Sequence, residues 1–150
     1  MTKYNFDDRN IRWSKLGDFE HFVYAMLDVD VCLQIVDFLI KFDPNQQIFL
    51  HRHLALTNTF VVQGEHRLYE SNGMLKEIRP VGSYTSSLPG DAHREGGGNN
   101  EGAVVFYSVR GKDGILFEVL DDNLNVVATL SMEDFIGLYK AQQDNTENNS

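Results

Sequence analysis

What most constrains the fold of this chain is a rhythm: short β-prone runs recur, each closed by a turn signal, without helical patterns between them. IRWSKL, HFVYAML, CLQIVDFLIKF, IFLHRH, TNTFVVQG, HRLYE, MLKEI, AVVFYSVR, GILFEVL and NVVATL follow in order. Their β-branched and aromatic residues suit a pleated, half-buried surface. Gly17-Asp18, Asp28-Val29-Asp30, Asp43-Pro44-Asn45, Gly111-Lys112-Asp113 and Asp121-Asp122-Asn123 mark the breaks. Asn72-Gly73, between HRLYE and MLKEI, is the strongest short hairpin signal. A parallel sheet needs crossover helices, and none is patterned here. Nine or ten strands therefore close as an all-β sandwich or barrel.

One helix is expected, and it comes late. Ser131 and Asp134 approximate a capping box, after which Phe135, Leu138 and Tyr139 fall on one helical stripe. Residues 1–10 are polar and expected to be loosely held. Residues 11–142 form a single domain, and QQDNTENNS at the end lacks core-forming side chains, so residues 143–150 are expected to be a disordered tail.

Composition narrows the function classes. Net charge is −9, which argues against nucleic acid or an anionic membrane surface, since phosphate binding needs a basic footprint. No apolar run approaches the roughly 18 residues of a membrane span. MTKYNFDDRN lacks the basic start and apolar centre of a signal peptide, so a cytoplasmic protein is expected. The single Cys32 has apolar neighbours and reads as a buried thiol.

Chemistry concentrates in two stretches. In IFLHRH, His51 and His53 share one strand face because side chains alternate, and Phe49 shares it with them as a candidate cavity wall. In GSYTSSLPGDAHREGGG, Pro89-Gly90 marks a turn that presents His93 inward. His51, His53 and His93 would give one ion three neutral nitrogen ligands and leave its opposite face open, as in a catalytic site. Fe(II), Zn(II), Ni(II) and Mn(II) all suit imidazole. The alternative is a polar cluster at a barrel mouth without a metal. Glu95 reaches the ion only if the following loop folds back; otherwise water completes the coordination. His66 is expected on the surface, as are Arg67 and Arg94. Glycines 96–98 read as a flexible loop, with residues 94–102 a candidate lid. Phe106, on the next strand, is a candidate pocket wall.

These two stretches resemble the paired motifs of the cupin superfamily, whose RmlC-like fold is a double-stranded β-helix or jelly-roll barrel. His51, His53 and Gly64 match the first motif, with Thr57 or Asn58 in place of its glutamate. Gly82, Pro89, Gly90 and His93 match the second. The vacant glutamate position makes the chain similar to the acetylacetone-cleaving dioxygenases, in which three histidines hold Fe(II). FYSVRGKDGILFEVLDDNLNVVATL and the short helix resemble that group's C-terminal part, Phe106 aligns with one of its aromatics, and the likeness covers roughly residues 12–142. It implies a cupin barrel with one short C-terminal helix, and C–C bond cleavage in a β-dicarbonyl compound by O2. Thr57 and Thr59, on one face near the vacant position, become candidate substrate contacts. Alternatives are another metal cupin, an isomerase or oxygenase, or a metal-binding sensor like the zinc-holding domains of some anti-sigma factors. Cupins often pair, so a homodimer is expected.

Overall fold

The protein was described from a computed structural model, which covers residues 4–112 and 114–148. Its elements are β1 (Phe22–Asp30), β2 (Ile35–Phe42), β3 (His51–His53), β4 (Leu56–Glu70), β5 (Leu75–Pro80), β6 (Tyr84–Ser87), β7 (His93–Gly97), β8 (Ala103–Arg110), β9 (Ile115–Leu120), β10 (Val126–Ser131) and α1 (Met132–Asn148). All named strand pairs are antiparallel. One sheet runs β1-β2-β8-β4-β6 and the other β5-β4-β7-β3-β9-β10. The curled all-β architecture expected from the rhythm of turns is what forms.

β4 makes the curl, because it serves both sheets. Residues 57–60 pair with β6, and residues 65–69 pair with β5. Between them the ladder to β8 slips at Val61/Gln63, and such a bulge bends a strand and sharpens its twist. Gly64 sits at this corner with φ +74°, and a Cβ there would strike the Gly102 carbonyl, so only glycine fits. The two inner faces meet over Phe22, Met26, Phe38, Phe42, Val61, Val105, Tyr107 and Phe117, with Phe135 of α1 closing one end.

α1 begins as its capping pattern predicts. The Ser131 N–H and Oγ donate to Asp134 Oδ2 at 2.7 and 2.9 Å, and the Asp134 N–H returns a bond to Ser131 Oγ at 3.2 Å. The helix is not short, however. It runs 17 residues to Asn148, through most of the tail expected to be disordered. Gln142 helps fix it, accepting from the Met26 N–H at 2.8 Å and donating to the Met26 carbonyl at 2.7 Å. Residues 149–150 of that tail, residues 1–3 of the N-terminal segment and Asp113 of the 111–113 turn lie outside the described residues. No helix among the described residues is long and apolar enough to cross a membrane.

Other expectations are corrected. Of IRWSKL only Ser14 pairs, bridging Tyr24, and β1 continues through Asp28-Val29-Asp30 by way of a bulge at Met26/Asp28. Cys32 is exposed in the turn before β2, which closes when Asp30 Oδ1 accepts from the Leu33 N–H at 2.9 Å. The N-terminal segment is tied down at Asp8, whose Oδ2 accepts from Trp13 Nε1 and Lys41 Nζ, both at 2.9 Å. Glycines 96 and 97 belong to β7 and glycines 96–98 are buried. A Cβ on Gly96 would strike the Gln46 carbonyl; glycine is required there because two backbones pass close together, not because a lid must flex.

Candidate metal centre

His51 and His53 extend inward from β3 on the same face, and β7 lies beside it with His51 in register with His93. The same alternation on β7 brings Glu95 to the side of His93. The imidazole nitrogens and one Glu95 oxygen lie within 4.8 Å of one another. His51 Nε2 is 3.1 Å from His53 Nε2 and 2.7 Å from Glu95 Oε2. His53 Nε2 and His93 Nε2 stand 3.6 and 3.5 Å from that oxygen. Sequence spacing thus found three members of the group. Glu95 arrives on a strand rather than by a folded-back loop.

The outer nitrogens decide what the inner ones can do. His51 Nδ1 faces the Phe49 carbonyl at 3.0 Å, and His93 Nδ1 faces the Asp91 carbonyl at 3.3 Å. A carbonyl only accepts, so both Nδ1 atoms carry the proton. His53 Nδ1 meets Thr57 Oγ1 at 3.2 Å, and that hydroxyl donates its own proton to the Ala55 carbonyl at 3.1 Å. Thr57 must therefore accept, and His53 also carries its proton on Nδ1. Each Nε2 lone pair then points at the others and at Glu95 Oε2, an arrangement that a cation resolves. His93 Nε2 is buried without a hydrogen-bond partner. This orphaned nitrogen and the N3O donor set fit a divalent transition ion.

Glu95 is held from behind. Its Oε1 accepts from Tyr107 Oη at 2.6 Å and from His66 Nε2 at 2.8 Å, leaving Oε2 for the centre. Burial would push the carboxyl up, but histidines that carry a proton toward it, where an ion would otherwise sit, hold it well below its usual range. Burial and the neighbouring Glu95 charge push the Tyr107 phenol well up, which keeps it a donor. Burial lowers His53 to about 4, leaving its lone pair free at neutral pH. Burial also acts downward on His93, but the Glu95 contact and charge outweigh it and the net direction is up.

His66 is completely buried, stacked on Phe42 with ring centroids 5.3 Å apart, and not on the surface as expected. Its alternation with the buried Leu68 on β4 carried that signal. Phe106 also departs from expectation: it neighbours Tyr107 on β8, and the inward direction belongs to Tyr107. Phe106 pairs instead with Phe60 and Leu39 across the outer face. Arg67 and Arg94 pair with Glu65 at 3.1 Å and Asp122 at 2.8 Å, away from the centre.

Two cavities meet at the cluster. An apolar chamber of about 60 Å³ is walled by Phe22, Phe38, Phe49, Tyr107, Phe117 and Phe135, and reaches His51, His53 and Glu95. A second, more polar chamber of about 160 Å³ is bordered by Thr57, Thr59, Lys76 and Arg79 together with Leu68 and Leu88, and reaches His53, His93 and Glu95. Phe49 borders the first chamber and Thr57 and Thr59 the second, on opposite sides of the centre.

No family model matches the sequence, and no curated protein matches it. Solved structures do match the fold. An RmlC-like cupin protein from Ralstonia eutropha JMP134 aligns at 16% identity and TM-score 0.72, over 94% of this chain and 87% of the other. An acetylacetone dioxygenase from Acinetobacter johnsonii aligns at 13% identity and TM-score 0.71, over 95% of this chain and 93% of the other. The polyketide cyclase RemF from Streptomyces resistomycificus aligns at 14% identity and TM-score 0.57, over 74% of this chain and 81% of the other. The fold is the cupin jelly roll.

Proposed function

We propose that this cupin-fold chain is an Fe(II)-dependent dioxygenase that cleaves a C–C bond of a small β-dicarbonyl or related enolisable compound. The observation that carries the reading is the convergence of His51, His53, His93 and Glu95 on one point beside an aromatic chamber. Iron bound there would supply Lewis acidity toward two carbonyl oxygens and redox capacity toward O2. The histidines hold their lone pairs inward through their Nδ1 partners, and the aromatic walls exclude water. Glu95 changes the charge argument. A neutral three-histidine set would leave two positive charges, and the carboxylate reduces them to one. A monoanionic enolate then makes the buried assembly neutral, which low-dielectric surroundings favour. One water takes roughly 10–15 Å³ on the same cavity measure, so a chamber of about 60 Å³ admits only a small group.

Zn(II), Ni(II) and Mn(II) would compete for these donors, and affinity alone favours metals later in the series than iron. A homodimer working in the cytoplasm on a small molecule and O2 completes the reading. The cyclase among the fold's neighbours favours one alternative, non-oxidative enol chemistry at the same centre. Oxygen uptake separates the two. Fe(II)-reconstituted protein should consume O2 with members of a 1,3-diketone panel, and His93→Ala should not. Absence of uptake with iron demonstrably bound, across the panel, would overturn the dioxygenase reading.

A further inference from the structure

We propose that the substrate is an acidic dicarbonyl, a 2,4-dioxo acid, whose carboxylate lies beside Lys76 in the polar chamber while its apolar end enters the aromatic one. The inference rests on the dicarbonyl reading above and names the substrate class within it. The centre lies at a junction: His51 borders the apolar chamber, His93 the polar one, and His53 and Glu95 both. A ligand lying across the centre therefore has one end on each side. The two sides differ in chemistry and in size, about 60 against about 160 Å³.

A symmetric neutral diketone would place a methyl group beside two cationic side chains and the Ser87 hydroxyl, which would lose water and gain no partner. Thr57 Oγ1 already donates to the Ala55 carbonyl and Thr59 Oγ1 is bonded to Thr85 Oγ1, so a carboxylate would find its donors in Ser87 and the cations. Arg79 is already committed: its Nε and Nη2 donate to the two Glu77 oxygens, each at 3.1 Å, and its Nη1 donates to Thr85 Oγ1 at 3.1 Å. Lys76 makes no ion pair among the described residues, yet its charge reaches His93. Glu77 is neutralised by Arg79, and Asp91, also on this chamber, is exposed, as Lys76 itself is. With the ion offset by Glu95 and the enolate, Lys76 is the cation left for a second negative charge. Lys76 is thus a specificity residue for the anionic end.

The test uses Zn(II)-loaded protein, which is inert toward O2, so binding is read without turnover. Calorimetric titrations compare 2,4-dioxopentanoate with acetylacetone, which carries a methyl group in place of the carboxylate, on the wild type and on Lys76→Met. Taking the ratio between proteins removes the compounds' own difference in zinc affinity. Lys76→Met should weaken the acid about three- to fivefold, as loss of a solvent-exposed ion-pair partner does, change the diketone less than about twofold, and keep one zinc per chain. An unchanged ratio, with both compounds bound, overturns the carboxylate subsite and leaves the dicarbonyl reading standing. If zinc binds and neither compound does, the dicarbonyl reading falls and takes this inference with it.

Discussion

Tyr107→Phe removes one oxygen and leaves the ring stacked on Phe38, with centroids 5.1 Å apart. The lost contact is the 2.6 Å hydrogen bond to Glu95 Oε1, with both residues buried. A hydrogen bond to a charged group contributes roughly 1.5–3 kcal/mol. In a domain of this size each kcal/mol moves Tm by roughly 2–4 °C. The metal-free variant should therefore melt about 3–12 °C below the wild type. His66 still holds Glu95 Oε1 at 2.8 Å, so the carboxylate stays but its aim loosens. Loss of an outer partner of a ligand typically costs about 10–100-fold in metal affinity, and chelator competition should show a weakening in that range. His66→Gln removes the other support, and the double variant should show a coupling of about 0.5–3 kcal/mol. An unchanged Tm together with an unchanged metal affinity in Tyr107→Phe would refute the claim that Tyr107 positions Glu95.

Three further outcomes are expected. Burial lowers folded His53 to about 4, below its ordinary 6.5, so between these values the unfolded chain binds more protons and stability rises with pH. That contribution, on the order of 3 kcal/mol, is complete above pH 6.5 and lost on falling to pH 4. Glu95, held low, extends the same trend below its ordinary 4.5, whereas His93, raised, lowers stability only as pH climbs above 6.5, outside this window. Urea melts of metal-free protein should show the rise and His53→Gln should flatten it; a flat wild-type profile would contradict the assignment. Gly64→Ala places a Cβ against the Gly102 carbonyl at positive φ, and backbone strain alone costs about 1–3 kcal/mol. A urea midpoint equal to the wild type would remove Gly64 as the corner of β4. Cys32, exposed, should react fully with a thiol reagent in native buffer; reaction only after denaturation would contradict its place in the turn.

Much of this architecture is legible in the sequence because strands and turns are local. Asn72-Gly73 set the β4–β5 hairpin, and the Ser131/Asp134 spacing set the start of α1. The His51-x-His53 alternation placed two imidazoles on one face without knowledge of the rest of the chain. What escaped depends on distant partners. Glycines 96 and 97 read as a loop because glycine is depleted in strands, yet the nearby Gln46 and Gly102 backbones demand it. AVVFYSVR is apolar at neighbouring positions, so alternation alone could not choose between Phe106 and Tyr107 for the inward face. Sequence reasoning brings Glu95 to the ion only through a folded-back loop; Glu95 repeats the spacing of the first motif, His93-x-Glu95, and reaches the centre along β7 instead. The length of α1 depends on Gln142 meeting Met26 across the fold, which no helical periodicity reveals.

The central claim is that His51, His53, His93 and Glu95 hold one divalent ion. Anaerobic titration of chelator-stripped protein with Fe(II), followed by calorimetry, tests it most directly when repeated on His93→Ala and Glu95→Gln. One ion per chain is expected in the wild type, with affinity reduced by more than about 100-fold in His93→Ala and clearly reduced in Glu95→Gln, as loss of direct ligands exceeds that of outer partners. No saturable binding, or equal affinity in all three proteins, would contradict it.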